Sequence, residues 1–266
     1  MENINYGVIL AAGEGIRMRP LTDYYSKVTL PVLDRPLLIY HLEIMQIVDI
    51  KKVFIVVSKN NFNIVKEFVK RYHSNNSNIT CELILQKFSC GTGHALLILE
   101  RKLSGKRFLL LLGDEYSNDI DSFSMLQSNN KDSLIIGIVE YGDVNNVLSG
   151  CNVHIKDNHV SRLVEKPTKN QIKSKWCWDG SVVLDATIFQ ALHELQITNP
   201  LREKDSLCIV KAMQRLIEKR HYIAVLKKKC KNINITTELD YIKASLIEFK
   251  KKYKSNYTNL LNNIFR

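Results

Sequence analysis

The sequence predicts an α/β fold: a doubly wound, mostly parallel (Rossmann-like) sheet with a small β excursion and a C-terminal helix. Short apolar runs typical of buried strands alternate with stretches of helical periodicity. Polar residues of chemical interest stand where the apolar runs end, which is where such sheets bind ligands. With 266 residues and 45% hydrophobic content, the chain is also long enough to bury a core.

Seven strands and six helices are predicted, and they alternate from Gly7 to Leu112. The strands are Gly7–Ala12, Lys52–Ser58, Thr80–Gln86, Arg107–Leu112, Ser133–Val139, Trp178–Leu184 and His221–Leu226. The helices are Pro36–Ile50, Asn61–His73, Gly93–Leu103, Thr187–Leu195, Lys204–Lys219 and Thr237–Lys252. A β excursion spans Gly150–Val164 and turns at Lys156-Asp157-Asn158. We expect one domain over residues 1–245 and a basic C-terminal helical tail over 246–266.

The stretch from Gly7 to Pro31 carries the first chemical signal. Gly13 and Gly15 follow the first strand and let the backbone approach a ligand closely. Arg17 and Lys27 then supply cations suited to phosphate oxygens. An ordinary strand-to-helix turn with solvated cations explains this pattern equally well. The stretch matches neither the dinucleotide-binding fingerprint, whose third glycine is replaced, nor the phosphate-binding P-loop.

The net charge of +11 is concentrated in the last quarter of the chain, where residues 201–266 carry 16 Lys and Arg against 6 Asp and Glu. Such clusters attract nucleic acid or anionic membranes, or form solvated helix faces. We favour solvated faces, because no nucleic-acid-binding motif accompanies them. No dedicated nucleic-acid or membrane binding is therefore expected.

The cysteines and the N-terminus indicate a cytoplasmic protein. Six cysteines are scattered without a C-x-x-C pair, so free thiols are expected, with neither zinc nor disulfides. The residues from Met1 to Tyr6 lack the basic start and hydrophobic block of a secretory signal. No apolar run approaches the length of a membrane span.

Four motifs together resemble those of the sugar-phosphate nucleotidyltransferases. The opening motif is LAAG-x-G-x-R-[LM]-x-P-x-T followed by S-K-x-x-L-P. Its matching residues are Leu10, Ala11, Ala12, Gly13, Gly15, Arg17, Met18, Pro20, Thr22, Ser26, Lys27, Leu30 and Pro31. The others are Gln86 with Gly91-Thr92, the Gly113-Asp114 turn, and Val164-Glu165-Lys166-Pro167. The resemblance leans towards the glucose-1-phosphate thymidylyl- and uridylyltransferases.

This resemblance implies a reaction of a nucleoside triphosphate with a sugar-1-phosphate, and it implies roles for residues. Catalytic roles fall to Arg17, Lys27 and Lys166. Nucleotide binding falls to Leu10, Ala12, Gly13, Gly15, Gln86, Gly91 and Thr92, with the Gln86 amide donating to and accepting from a pyrimidine edge. Sugar-phosphate binding falls to Gly150, Glu165, Lys166 and Gly180. Asp114 and Asn234 would hold Mg²⁺.

Departures from the motifs keep alternatives open. Ile16 replaces a usual hydroxyl residue, Asp179 a small or amide residue, and Asn234 a usual metal-binding aspartate. Thr236 replaces a glycine and is predicted to cap the last helix. A catalytically silent regulatory subunit is therefore an alternative, as is a cytidylyltransferase acting on a sugar, polyol or choline phosphate. A homo-oligomer is also possible.

Overall fold

The computed structural model describes residues 4–75, 78–128, 134–141, 144–198, 206–230 and 232–254. Its strands are β1 (Tyr6–Leu10), β2 (Pro31–Val32), β3 (Arg35–Pro36), β4 (Lys52–Ser58), β5 (Thr80–Gln86), β6 (Phe108–Leu112), β7 (Glu115–Ser117), β8 (Leu134–Glu140), β9 (Cys151–Lys156), β10 (His159–Glu165), β11 (Trp176–Leu184), β12 (Ile223–Lys228) and β13 (Asn232–Asn234). Its helices are α1 (Leu21–Tyr24), α2 (Leu37–Ile47), α3 (Phe62–Asn75), α4 (Thr92–Leu97), α5 (Glu100–Leu103), α6 (Met125–Ser128), α7 (Val144–Ser149), α8 (Thr187–Thr198), α9 (Ile209–Glu218) and α10 (Glu238–Tyr253).

The α/β class is confirmed, but the sheet is mixed rather than mostly parallel. Over the described residues, nine strands pair in the order β5-β4-β1-β6-β11-β8-β12-β10-β9. The neighbours β5, β4, β1 and β6 are parallel, as are β8 and β12. Strand β11 runs antiparallel between β6 and β8. A strand buried on both faces has the same apolar composition in either direction, so the sequence carried no sign of this reversal.

The predicted β excursion is part of the main sheet. Strands β9 and β10 form a hairpin whose turn residues Asp157 and Asn158 have φ of 48° and 63°. Positive φ at both residues is the geometry of a tight two-residue hairpin turn, and it confirms the predicted turn. Strand β10 then pairs with β12, and β9 pairs with β11. The hairpin thus extends the sheet instead of leaving it.

The core lies on both faces of the sheet. In β1, Val8 and Leu10 pack into one buried cluster, while Ile9 packs into the cluster on the opposite face. This alternation is the two-residue period of a strand. Burial of each such side chain stabilises the fold by about 1.5–3 kcal/mol. The central strand is therefore held from both sides, and its carboxyl end is a rigid platform.

A third, smaller cluster joins segments that are distant in sequence. Met18, Tyr116, Ile235 and Ala244 are among its buried members. They belong to the loop after β1, to β7, to the segment after β13 and to α10. The Tyr116 hydroxyl also donates to Glu248 of α10 at 2.5 Å. This cluster fixes α10 and β13 beside the first loop.

Helix α10 begins one residue later than predicted, at Glu238 rather than Thr237, so the N-cap is not Thr236. Thr237 is the N-cap, and its side chain accepts from the backbone N–H of Asp240. Thr236 instead donates its backbone N–H and its hydroxyl to Asp240 Oδ2. The predicted boundary after residue 245 falls inside α10, and residues 255–266 lie outside the described ranges. No helix in those ranges is long and apolar enough to cross a bilayer.

Candidate active site

A cavity of about 720 Å³ lies beyond the carboxyl ends of β1, β5, β6 and β10. Twelve of the residues singled out from the sequence line it: Leu10, Ala12, Gly13, Arg17, Lys27, Gln86, Gly91, Thr92, Asp114, Glu165, Lys166 and Asn234. They come from five separate segments of the chain. Gly15, Gly150 and Gly180 are not among its lining residues within the described ranges.

Gly13 and Gly15, the two glycines of the loop after β1, have different structural roles. An ideal Cβ on Gly13 would meet no atom within 4 Å, so this backbone faces open space in the cavity. Gly15 has φ of +67°, and a Cβ there would lie 2.8 Å from the Thr22 side chain. The Thr22 hydroxyl donates to the Gly15 carbonyl at 2.9 Å. Gly15 therefore shapes the loop from behind, while Gly13 presents its backbone to a ligand.

Lys27 and Asp114 form an ion pair inside the cavity. Lys27 Nζ lies 3.1 Å from Asp114 Oδ2, and the Lys27 side chain is only 11% exposed. Gly113 donates its N–H to the Leu10 carbonyl at 2.9 Å. A Cβ on Gly113 would come within 2.7 Å of that carbonyl oxygen. The glycine thus lets the turn lie against the end of β1 and brings the carboxylate to Lys27.

Glu115, the residue directly after Asp114, has a different environment. Both of its carboxylate oxygens accept hydrogen bonds, from Asn232 Nδ2 at 2.5 Å and from Asn234 Nδ2 at 2.8 Å. Burial raises the pKa of Glu115 well above its usual value, and the charges of Asp114 and Asp179 raise it further. The pairing of β7 with β13 sets this contact, because it places Asn234 opposite Glu115.

Asp114 and Asn234 line the same cavity and offer oxygen atoms of the kind that a small, hard cation prefers. Asn234 uses its amide nitrogen on Glu115, so its oxygen Oδ1 remains for a metal. The Ile235 N–H donates to the Asp114 carbonyl at 2.8 Å and ties the two segments together. Within the described ranges, no three His, Cys, Asp or Glu side chains are grouped to hold a metal ion. Two protein oxygens plus phosphate oxygens are a usual ligand set for Mg²⁺, and the site fits it.

Gln86, at the end of β5, is buried beside the loop that follows it. Its side-chain nitrogen donates to the Gly91 carbonyl at 3.3 Å and lies 3.0 Å from His94 Nδ1. Gly91 has φ of +91°, and a Cβ there would lie 2.5 Å from the Leu207 carbonyl oxygen. Thr92 accepts a hydrogen bond from the Ile209 N–H at 3.2 Å. These contacts hold the loop over the cavity.

Glu165 and Lys166 end β10 at the far wall of the cavity. Lys166 has φ of +45°, a region that non-glycine residues rarely adopt. Its N–H donates to the Gly150 carbonyl at 2.7 Å, which holds that conformation. Gly150 lines a second cavity of about 360 Å³. The two cavities share Ser149, Asn234 and Thr236 among their lining residues, so they adjoin.

Gly180 packs against the Glu115 side chain and lines neither of these two cavities. It has φ of +82°, and a Cβ there would lie 2.4 Å from Glu115 Cγ. The register of β11 shifts here, between Trp178 and Val182. Asp179, next to it, forms an ion pair with Lys228, and neither side chain is exposed. This buried pair was not predicted, because the two residues are far apart in sequence and lie on β11 and β12, the two strands that flank β8.

The chain belongs to the nucleotidyl transferase family, whose family model matches residues 6–232. It is 29% identical over 223 residues to the bifunctional protein GlmU of Methanococcus vannielii, covering 79% of this chain and 47% of that protein. It is 26% identical over 239 residues to the UTP-glucose-1-phosphate uridylyltransferase YngB of Bacillus subtilis, covering 76% of this chain and 79% of that protein. The chain thus spans about half the length of the first of these curated relatives.

A solved structure shares the fold. The structure of a UDP-glucose pyrophosphorylase complexed with UDP-glucose superposes with a TM-score of 0.80 at 24% sequence identity. The alignment covers 93% of this chain and 99% of that one. The fold with the mixed sheet is therefore shared with a solved protein.

Proposed function

We propose that this protein is a sugar-1-phosphate nucleotidyltransferase. It joins a nucleoside triphosphate, with UTP or dTTP favoured, to a sugar-1-phosphate and releases pyrophosphate. The observation that carries this proposal is the single cavity in which Arg17, Lys27, Asp114 and Lys166 meet. Three cations grouped with the Asp114 carboxylate suit a reaction between two phosphate-bearing substrates. Similarity to relatives named as a glucose-1-phosphate uridylyltransferase and a glucose-1-phosphate thymidylyltransferase supports the same class of reaction.

In the proposed reaction, an oxygen of the sugar-1-phosphate attacks the α-phosphorus in line and pyrophosphate leaves. The attacking oxygen is already ionised, so the site needs no general base. Lys166 holds the sugar-1-phosphate, Lys27 neutralises the α-phosphate, and Arg17 neutralises the leaving group. Positioning and charge stabilisation then supply the rate acceleration. The contact of Lys27 with Asp114 keeps its ammonium group in the cavity before substrate binds.

Asp114 and Asn234 would hold Mg²⁺ in this site. The ion supplies positive charge to the triphosphate oxygens when it is bound. Glu115 would support metal binding indirectly. It accepts a hydrogen bond from the amide nitrogen of Asn234, which leaves the amide oxygen of Asn234 for the metal. An aspartate at position 234 would instead place a second carboxylate against Glu115.

We assign the sugar to the second cavity, with Gly150 and Glu165 at its junction with the first. Trp178 and Asn232 line this second cavity and offer an aromatic surface and an amide. Gly180 contributes from below by leaving room for Glu115. The nucleotide then occupies the larger cavity, with its phosphates between Gly13 and Lys27.

A pyrophosphate-release screen tests the proposal. The five common triphosphates are each combined with a panel of sugar-1-phosphates in Mg²⁺, and release is compared with a Lys27→Met variant. We expect release with UTP or dTTP. Release only with CTP, and with a polyol or choline phosphate, would favour the cytidylyltransferase alternative. No release from any pair would contradict the proposal and favour the silent subunit.

The remaining sequence-based expectations stay predictions. These are the cytoplasmic location, a possible homo-oligomer, the lack of dedicated nucleic-acid or membrane binding, and the division of the chain after residue 245.

A further inference from the structure

The side-chain amide of Gln86 is held in one orientation. Its nitrogen lies 3.3 Å from the Gly91 carbonyl oxygen and 3.0 Å from His94 Nδ1. A carbonyl oxygen only accepts hydrogen bonds, so the amide nitrogen and not the amide oxygen must face Gly91. Both N–H groups of Gln86 are then in use. In the described part of the chain, Oε1 makes no hydrogen bond, which leaves it as the group that Gln86 offers to a ligand.

The groups that hold Gln86 are themselves fixed. The Gly91 carbonyl also accepts from the Ala95 N–H at 3.1 Å at the start of α4, and the Gly93 N–H donates to the Leu207 carbonyl at 2.8 Å. His94 projects from the same turn of helix. Burial lowers the pKa of His94, which keeps its ring neutral and lets Nδ1 accept a hydrogen bond. Gln86 is only 7% exposed, so its amide has little room to turn.

We propose that His94 is a positioning residue that fixes Gln86 as a hydrogen-bond acceptor towards the nucleobase. With N3 of a pyrimidine base placed against it, Gln86 Oε1 requires an N–H at that position. Uracil and thymine carry N3–H, whereas cytosine carries a lone pair on N3, so two acceptors would face each other. The site therefore selects UTP and dTTP over CTP. This inference rests on the proposed function, because it places the base against Gln86.

The inference narrows the role expected for Gln86 from the sequence. A free amide both donates and accepts and would suit uracil and cytosine alike. With its nitrogen committed to Gly91 and His94, Gln86 distinguishes them. Uracil and thymine differ at C5, away from N3, so this contact should not separate those two bases.

Three variants separate a positioning role from a structural one. His94→Phe keeps an aromatic ring but removes the acceptor. His94→Asn returns an acceptor, since an asparagine Oδ1 reaches about the position of Nδ1. The control is His154→Phe, because His154 also lies 3.0 Å from an amide side chain, that of Asn152, but on β9 outside the larger cavity. Binding of UTP, dTTP and CTP in Mg²⁺ is measured by titration calorimetry for each variant.

We expect the wild type to bind UTP at least about tenfold more tightly than CTP, since an unpaired buried polar group costs this much or more. His94→Phe should reduce this ratio, because only the Gly91 carbonyl then holds the amide of Gln86. His94→Asn should retain the ratio, and His154→Phe should leave it unchanged. Equal weakening of all three nucleotides in His94→Phe would overturn the inference. So would nucleotide binding without a preference in the wild type. Binding of no nucleotide would instead contradict the proposed function and, with it, this inference.

Discussion

Removal of the buried lysine Lys228 should destabilise the fold far more than removal of an exposed lysine. Lys228 and Asp179 form an ion pair in which both side chains are 0% exposed. Asp179 Oδ1 also accepts from the Ser181 N–H at 2.9 Å and from its hydroxyl at 2.6 Å. Lys228→Met retains the length of the stem but leaves the carboxylate buried without its cation. The pair lies next to Gly180, which packs against Glu115, so its loss should also disturb the position of Glu115 at the site.

The expected cost follows from the burial of both charges. Breaking a buried pair by removing one partner costs about 3–5 kcal/mol. A typical domain has a total stability of about 5–15 kcal/mol, so this loss is large. Adding Asp179→Asn removes the remaining charge, and the double variant should recover most of the loss. The control is Lys175→Met in an exposed pair, in which Lys175 and Glu140 are 59% and 56% exposed. Its cost should be about 0–1 kcal/mol.

Urea unfolding followed by tryptophan fluorescence measures these differences. The two single variants and the double variant form a thermodynamic cycle. The expected coupling energy is about 3 kcal/mol or more, because each single variant leaves one buried charge without its partner and the double variant leaves neither. A Lys228→Met variant as stable as the Lys175→Met control would refute the reasoning. A double variant whose loss equals the sum of the two single losses would refute it as well.

Four further outcomes are expected. Lys27→Met should lower kcat by about 10²–10³-fold, the usual cost of removing one charge-stabilising donor, with an unchanged urea midpoint; normal turnover would contradict its role. Asp114→Asn should raise the Mg²⁺ concentration needed for half-maximal rate, and an unchanged requirement would contradict the metal assignment. Burial lowers the pKa of His41 to about 4, whereas its pKa in the unfolded chain is about 6.5. The contribution of His41 to the free energy of unfolding is therefore fully present above pH 6.5, and it should fall by about 3 kcal/mol as the pH falls to 4. When the free energy of unfolding in urea is measured against pH, the His41→Gln variant should lose less stability than the wild type on acidification. An equal loss in the two proteins would count against this. Asn234→Asp should cost about 1–3 kcal/mol at pH 7 because it loses its donor to Glu115, and adding Glu115→Gln should restore stability; no restoration would argue against the contact.

The sequence was sufficient to predict the elements around the larger cavity. The apolar run before Gly13 and the runs that end at Gln86 and Leu112 are parallel strands, as predicted. The first and the last of these three are buried, and the one that ends at Gln86 is a half-buried edge strand. Their carboxyl ends meet at one edge of the sheet, so the polar residues after them lie close together. Lys27 and Asp114 are 87 residues apart and yet form an ion pair. Local signals were enough here because each strand end is marked by its own residues.

Features that depend on contacts between distant strands were not predictable in the same way. The direction of β11 is set by its neighbours β6 and β8, which its composition does not encode. The place of Glu115 depends on the pairing of β7 with β13, a three-residue strand with no periodicity to identify it. The split of the predicted helix Gly93–Leu103 into α4 and α5 likewise left no clear mark in the sequence. For Glu115, the local signal in the sequence was an acidic residue directly after Gly113-Asp114.

The fate of labelled phosphate tests the central claim most directly. The protein is incubated with Mg²⁺, each member of a panel of sugar-1-phosphates and UTP or dTTP that carries ³²P on either the α- or the γ-phosphate, and the products are separated. Attack on the α-phosphorus places the α-label in a nucleotide-sugar and the γ-label in pyrophosphate, and this is the result we expect. Transfer of the γ-label to the sugar, or no consumption of either labelled triphosphate, would contradict it.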